Sequence, residues 1–318
     1  MESIFTFSII QSALELGCIY SLVALALFLS FSILNIADLS TDGCFTLGCA
    51  VAAMVTMAGH PFLAFPAAMA AGVCSGFVTA FLQTRMGVPS ILAGIIVNTG
   101  LYTVNIAVMD FSSNVNLFGC DTIFSLAKSA SEADWYGDWY KITIVAVIVL
   151  ISGVIIAWFL NTRLGLSIRA TGDNEYMVRA SSINPVFTIT VGLCVSNSLT
   201  ALSGAVLAQY QKSCDINLGT GMVTIALASL IIGETMIGKG GMFKRVVGVI
   251  LGSCLYRFIV AVALRLNVPA ECLKLVSALI VAFAIAFPYL KGQAAIYKSH
   301  RMPLAVRGDS RKDGDGAC

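Results

Sequence analysis

Charge is what this chain has least of. Of its 318 residues only 11% are Asp, Glu, Lys or Arg, while 58% are hydrophobic. A soluble domain carries about 25% charged residues. The shortage excludes an ordinary soluble fold and points to a polytopic membrane protein. Histidine is nearly missing, at His60 and His300 alone. No metal-ligand spacing and no nucleophile constellation appears, which argues against an enzyme acting on lipid and against a resident metal. No G-x-x-x-x-G-K-[ST] stretch occurs, and the glycine-rich runs lie in apolar segments where they cannot cradle ATP. The ten cysteines include no CxxC pair. Most sit in apolar segments as small packing residues. Cys120, Cys214 and Cys272 fall in expected outer loops, so a disulfide among them stays open. A basic leader is lacking too. Glu2 stands where its charge should be, so no cleavable signal peptide is evident. The net charge of +2 says less than the distribution of charge, and no nucleic-acid partner is expected.

What is present is a series of apolar runs. A spanning helix needs about 20 such residues. Candidates are Ser8 to Leu34, Phe45 to Ala58, Phe62 to Leu82, Ile91 to Met109, Ile142 to Leu160, Val186 to Tyr210, Val223 to Ile237, Val246 to Leu264 and Leu275 to Leu290. The second and seventh are short and rich in small residues, as broken helices beside a transport path often are. The expected fold is all-α, with about eight to ten transmembrane helices, one or two of them short or broken. One transmembrane domain spans 1–298 and a polar, disordered cytoplasmic tail spans 299–318.

Orientation follows the positive charges. If the tail is inside, the same side holds Arg85, the Arg163 to Arg179 loop, Lys239, Lys244 and Arg245. The opposite side holds the Asp110 to Tyr140 loop with its acids and the aromatic cluster Trp135, Tyr136, Trp139 and Tyr140. Counting back through nine spans puts the N-terminus outside, and a re-entrant second segment would alter that count.

The polar loop 161–185 includes "RATGDNEYMVRASSIN", from Arg169 to Asn184. Gly172 is expected to make a turn. Asp173 or Asn174 can cap a helix that Glu175 favours in its first turn. Tyr176, Met177 and Ala180 recur at helical spacing, and Pro185 stops this helix and opens the next. The residues fit either an inside loop obeying the charge rule or a docking helix for a cytoplasmic ATPase.

"RLGLSIRATGDNEYMVRASSIN" resembles the coupling loop of ABC importer permeases of the branched-chain amino acid and ribose group. Its shared core is Arg169, Ala170, Thr171, Gly172, Asp173 and Asn174, and Ser182 replaces a glycine common there. "GTGMVTIALASLIIGETMIGKGG" resembles the group's glycine-rich segment, with Gly219, Gly221, Gly233, Gly238, Gly240 and Gly241. "GVCSGFVTAFLQTRMGVPSILAGIIVNTG" is a third match, with Gly72 and Gly76 as a close-packing pair. The resemblance covers most of the chain from Leu34 onward. It is nearest to the tryptophan-type amino-acid subset through "LNIADLSTDGCFTLG" and "IIGE". Sugar permeases usually have glycine where Glu234 stands, which argues against a sugar.

The resemblance implies a permease subunit with no catalytic activity and no bound cofactor. ATP and Mg belong to separate ABC ATPase subunits, cargo comes from an extracytoplasmic solute-binding protein, and a second permease copy, the same or different, completes the assembly. Arg169, Gly172, Asp173, Asn174, Glu175, Tyr176, Met177 and Arg179 are then the coupling residues. Asn35, Asp38, Asp42, Asn98 and Glu234 are candidates for the translocation path.

Three ionisable residues, Glu15, Glu234 and Arg257, interrupt apolar segments, where each is costly unless paired or wet. They fit a wet path, or a Glu234–Arg257 pair holding two helices in register. Asn35, Asn98, Asn105 and Asn197 fit either substrate contacts or interhelical glue. "LNIADLSTDG" interrupts the apolar pattern and fits either a plain inside turn or, since irregular backbone at membrane depth must be buried in protein or line a cavity, part of the translocation path. Rival classes are a secondary transporter in which Glu15 or Glu234 carries a proton, a sugar or nucleoside ABC permease, and a membrane scaffold.

Overall fold

The computed structural model describes residues 7–130, 139–238 and 240–265, and the helical positions 275, 278, 279, 282 and 286. Most of the ninth expected span, the tail, Lys239, Cys272 and the Trp135–Tyr136 pair lie outside the described residues.

Eleven α-helices are described: α1 (Phe7–Leu27), α2 (Thr41–Met57), α3 (Ala64–Thr84), α4 (Ser90–Val108), α5 (Ile123–Ala130), α6 (Trp139–Asn161), α7 (Arg163–Asp173), α8 (Glu175–Ala180), α9 (Pro185–Gln211), α10 (Met222–Ile237) and α11 (Met242–Arg265). Six stretches are long and apolar enough to cross a membrane, and α2 and α10 are shorter. The chain is a polytopic all-α membrane protein, as the apolar runs predict.

Burial sorts the helices. The α1 and α9 stretches are 78% and 83% buried, against 28–39% for the α3, α4, α6 and α11 stretches. So α1 and α9 form the axis, and the others turn side chains such as Leu150, Val154 and Trp158 outward. Water contributes no driving force between helices in lipid, so close backbone approach through small residues takes over. At Gly72 a Cβ would overlap the Asn197 carbonyl oxygen of α9. The Gly72–Gly76 pair is therefore the seam between α3 and α9.

Three features were not expected. Residues Phe28–Ile33 continue α1 as a π-helix, with Leu34 N–H donating to the Leu29 carbonyl at 3.0 Å. Such wide turns cluster at functional sites. A short antiparallel pair, β1 (Asn114–Asn116) and β2 (Ser213–Asp215), joins the loop after α4 to the end of α9. Gln209, fully buried, gathers the same end, donating to Thr56 Oγ1 at 3.2 Å and Pro61 O at 2.9 Å and accepting from Ile123 N–H at 3.2 Å.

The connections separate into two ends. Gly172 packs on Ile33 and Gly192 on Leu34, so the α7–α8 loop and the end of α1 share one end. Arg245 joins them there through Ser32. The basic groups Arg163, Arg169, Arg179, Lys244 and Arg245 thus gather at this end, the cytoplasmic one by the charge rule. The β-pair and Gln209 mark the outer end. Although α2 begins at mid-depth, residues 34–40 climb back from the inner end to meet it, so the parity is unchanged and α1 starts at the end opposite the α7–α8 loop.

Among the described residues Cys120 and Cys214 are free thiols, while Cys272 lies outside them. Cys214 is fully buried in one apolar cluster with Cys49. A membrane-impermeant maleimide applied to intact cells is expected to label Cys120 and leave Cys318 unlabelled. Labelling of Cys318 alone would invert the orientation.

Candidate translocation site

The polar break after α1 is built around Asp38, which is 1% exposed. Its Oδ1 accepts from Ser40 N–H at 2.9 Å and Ser40 Oγ at 2.6 Å. Its Oδ2 accepts from Asn197 Nδ2 at 2.9 Å. Asn197 stands near the middle of α9, so this junction lies at mid-depth. At Asp38 and Ser40 the irregular backbone is buried in protein, and Asp38 with Asn197 holds it there. Asn35, at φ 56°, turns the chain out of the π-helix and is exposed.

Four residues on, Asp42 does different work. Its Oδ2 accepts from Gly221 N–H at 3.0 Å and its Oδ1 from Val223 N–H at 2.9 Å. Asp42 sits in the first turn of α2 while closing the N-terminus of α10. Two helix starts thus converge on one carboxylate, which both dipoles favour. Thr46 Oγ1 accepts from Gly219 N–H at 3.1 Å. A Cβ at Gly219 would overlap the Asp42 carbonyl oxygen, so only glycine lets the incoming loop pass. Gly221, at φ 88°, then turns that loop into α10. Short helices meeting at mid-depth are how many carriers build their sites.

A cavity of ≈ 400 Å³ opens beside this junction, lined by Asp42, Thr46, Asn98, Tyr102, Thr103, Asn105, Asn217 and Thr220 among others. Its size suits a small solute. Asn105 donates to the Gly43 carbonyl at 3.1 Å, and its Oδ1 has no partner among the described residues. Asn98 lines the cavity, whereas Asn197 is interhelical glue. Thr99, Tyr102 and Thr103 are exposed on α4, a polar strip on a helix otherwise apolar on its outer face.

Glu234 is elsewhere. It lies twelve residues beyond Met222 on α10, roughly 18 Å along the axis. It pairs with Arg245 at 2.7 Å, not with Arg257. Ser32 Oγ donates to Glu234 Oε1 at 2.7 Å, and Arg245 Nη2 donates to Ser32 Oγ at 2.7 Å. The Arg245 guanidinium also lies 4.9 Å from the Phe28 ring centroid. Arg257 instead lies over Tyr20 at 3.9 Å. Both arginines are on α11, and the one near its inner end reaches Glu234 because the π-helix brings Ser32 between them. Glu15, 3% exposed, accepts from Tyr210 OH at 2.6 Å and Gln11 Nε2 at 3.2 Å. The expected Glu234–Arg257 register pair does not form. The glycine-to-glutamate departure therefore touches the inner end, not the cavity, and no longer argues against a sugar.

At the inner end the loop forms two helices. Asn174, extended at φ −161°, separates them, and its Oδ1 accepts from Met177 N–H at 3.1 Å. Asn174, not Asp173, is thus the cap. Gly172 makes no turn. It lies inside α7, where a Cβ would overlap the Ile33 carbonyl oxygen. Thr171 Oγ1 meets Thr188 Oγ1 at 2.8 Å, fixing α7 to α9. On α8, Val178 is 1% exposed while Tyr176 and Met177 are 84% and 60% exposed. Glu175 and Arg179 pair at 2.7 Å in the open. Asp173 is exposed and Arg169 half-buried. Ser182, which replaces a family glycine, adopts φ 61°, the left-handed conformation that glycine takes without cost.

A family model for the branched-chain amino acid transport system permease component matches residues 9–285. The chain belongs to that family. This permease is 31% identical over 278 residues to a tyrosine transport system permease protein of Clostridioides difficile, covering 87% of the chain and 90% of the relative. It is 29% identical over 264 residues to the ribose import permease protein of Escherichia coli K12, covering 78% and 75%. It is 31% identical over 222 residues to the D-allose transport system permease protein of the same strain, covering 66% and 63%. No solved structure matches it. It is a multi-pass protein of the cell membrane and an ABC-type permease. Among the residues missed from sequence were Ser32, Thr46, Tyr102, Thr103 and Gln209. None carries a charge, and although Thr46 lies within the quoted "LNIADLSTDGCFTLG", only the converging helix ends single these residues out. Arg245 was counted as an inside charge, without its partner.

Proposed function

We propose that this permease carries a small solute, an amino acid or a related compound, inward through the cavity beside Asp42. The solute is delivered by an extracytoplasmic binding protein and the cycle is driven by ABC ATPase subunits docked on α8. The tyrosine-permease relative supports an amino-acid cargo, and the polar lining of Asn98, Asn105, Tyr102 and Thr103 suits a zwitterion. The exposed strip of α4 leaves the cavity open at the side of one copy, so a second permease chain is expected to close it.

The observation that carries this reading is the exposed face of Tyr176 and Met177 on a helix anchored by buried Val178. Burial of such aromatic and methionine side chains by a partner is favourable. From that face, contacts run on without a break. Helix α8 is joined to α7, Gly172 of α7 rests on Ile33, Ser32 of the same π-helix holds Glu234, and α10 runs from Glu234 to the Asp42 junction. A push on α8 thus has a rigid route to the cavity. ATP binding closes the ATPase pair, this route shifts α10, and hydrolysis resets it; the two states differ in contacts at both ends.

The test is charge reversal in proteoliposomes holding permease, ATPase and binding protein. Glu175→Arg or Arg179→Glu is expected to cut uptake while ATP hydrolysis continues and the melting temperature stays unchanged. Wild-type uptake and wild-type stimulated hydrolysis together would remove α8 from the ATPase interface.

A further inference from the structure

A second cavity, ≈ 540 Å³, lies between the inner end of α3 and the start of α9. It is remote in kind from the solute cavity. Phe77, Phe81 and Arg85 fall four residues apart, so they form one stripe down α3. Asn184 and Phe187 face them from α9. Phe77, Phe81 and Phe187 are 54%, 48% and 52% exposed, and the two α3 rings stack at 6.4 Å. The aromatic wall therefore opens on the outer surface of the bundle, where lipid chains lie. The polar end sits at the cytoplasmic boundary. There Arg85 is exposed and has no ion pair or hydrogen bond to its side chain among the described residues. Asn184 uses Oδ1 to accept from Val186 N–H at 3.0 Å, which leaves its amide N–H₂ free to donate. The N-terminus of the 27-residue α9 adds positive potential at the same point.

We propose that this groove binds an anionic phospholipid of the inner leaflet. Its phosphate accepts from the Arg85 guanidinium and the Asn184 amide, and an acyl chain lies along Phe77, Phe81 and Phe187. Charge selects this occupant over a neutral lipid, because an unpaired guanidinium at the membrane boundary gains most from a phosphate that it can grip with two N–H groups. The aromatic wall selects a lipid over a soluble phosphate, since a soluble ion leaves those rings unused. The site would brace α3 against α9, the seam at Gly72, whatever the cargo.

The test uses the purified permease in nanodiscs of phosphatidylcholine, with or without phosphatidylglycerol. Phosphatidylglycerol is expected to raise the melting temperature of the wild type by several degrees. Arg85→Gln is expected to remove most of that rise, and Arg85→Lys to keep part of it. An equal rise in wild type and Arg85→Gln would overturn the proposal. Glycerol 3-phosphate reproducing the rise would overturn the lipid source in favour of free phosphate. Because Arg85→Gln can fail to fold, Phe187→Trp offers an independent readout. Its added fluorescence should be quenched more by brominated phosphatidylglycerol than by brominated phosphatidylcholine, and equal quenching would also overturn it. Phe81→Cys forming a disulfide with a second copy would give the groove to a permease–permease contact instead.

Discussion

Asp42→Ala is expected to reduce uptake by about tenfold or more and to lower the melting temperature of the purified permease. The carboxylate accepts from Gly221 and Val223 N–H at the start of α10. Its removal leaves two half-buried N–H donors beside the cavity without that acceptor, at about 1 kcal/mol each, the low end of the cost of an unmet donor. It also takes a negative charge from two helix N-termini. Each ~1.4 kcal/mol lost from the transport-competent arrangement is a factor of ten. Asp42→Asn keeps one acceptor oxygen, so it should fall between the wild type and alanine on both measures. Thr46→Val removes a single acceptor, from Gly219, and should cost less than either. Unchanged stability and uptake in Asp42→Ala would show that α10 does not need this cap.

Glu234 and Arg245 give the second large effect. Either Glu234→Gln or Arg245→Gln leaves one charge without its partner beside Phe28 and Ser32. Each single change is expected to lower the melting temperature and uptake together. The double neutral variant should recover much of the stability but not the uptake, because the tie between the π-helix and α10 is gone. Both side chains are partly exposed, 35% for Glu234 and 25% for Arg245. The coupling in a double-mutant cycle should therefore be about 1 kcal/mol rather than the larger value of a sealed pair. Combining Glu234→Gln with Arg257→Leu is expected to give no recovery, since Arg257 stacks on Tyr20 instead. Recovery with Arg257 and none with Arg245 would contradict the arrangement.

These two sites show where sequence is informative and where it is not. Apolar length alone located the six long stretches and both short ones, because lipid demands it. The broken character of Val223 to Ile237 was visible in its flanking glycines, and Gly221 and Gly238 do adopt positive φ. Local spacing narrowed the helix cap to Asp173 or Asn174, and the structure gives it to Asn174. The partner of Glu234 could not. Arg245 and Arg257 lie on one helix, and the choice between them rests on how α1 widens into a π-helix, a tertiary outcome. Gly172 was misread for a related reason. Glycine marks either a turn or a close approach, and only the position of Ile33 shows which. The cavity was half visible. Asp42 and Asn98 stand out as polar residues in apolar surroundings, but Asp38 stands out equally and proves to be a buried strut. The β-pair escaped notice because three-residue strands have too little alternation to register.

The most direct measurement of the central claim, that α8 is the surface on which an ATPase acts, is cross-linking from Tyr176→Cys in native membranes. A short thiol–amine cross-linker is expected to join this position to a cytoplasmic ATPase subunit, with a yield that changes when ATP is trapped. A membrane-impermeant maleimide applied outside should leave it untouched. Labelling from outside, or efficient cross-linking only to the extracytoplasmic binding protein, would place α8 on the wrong face and contradict the account.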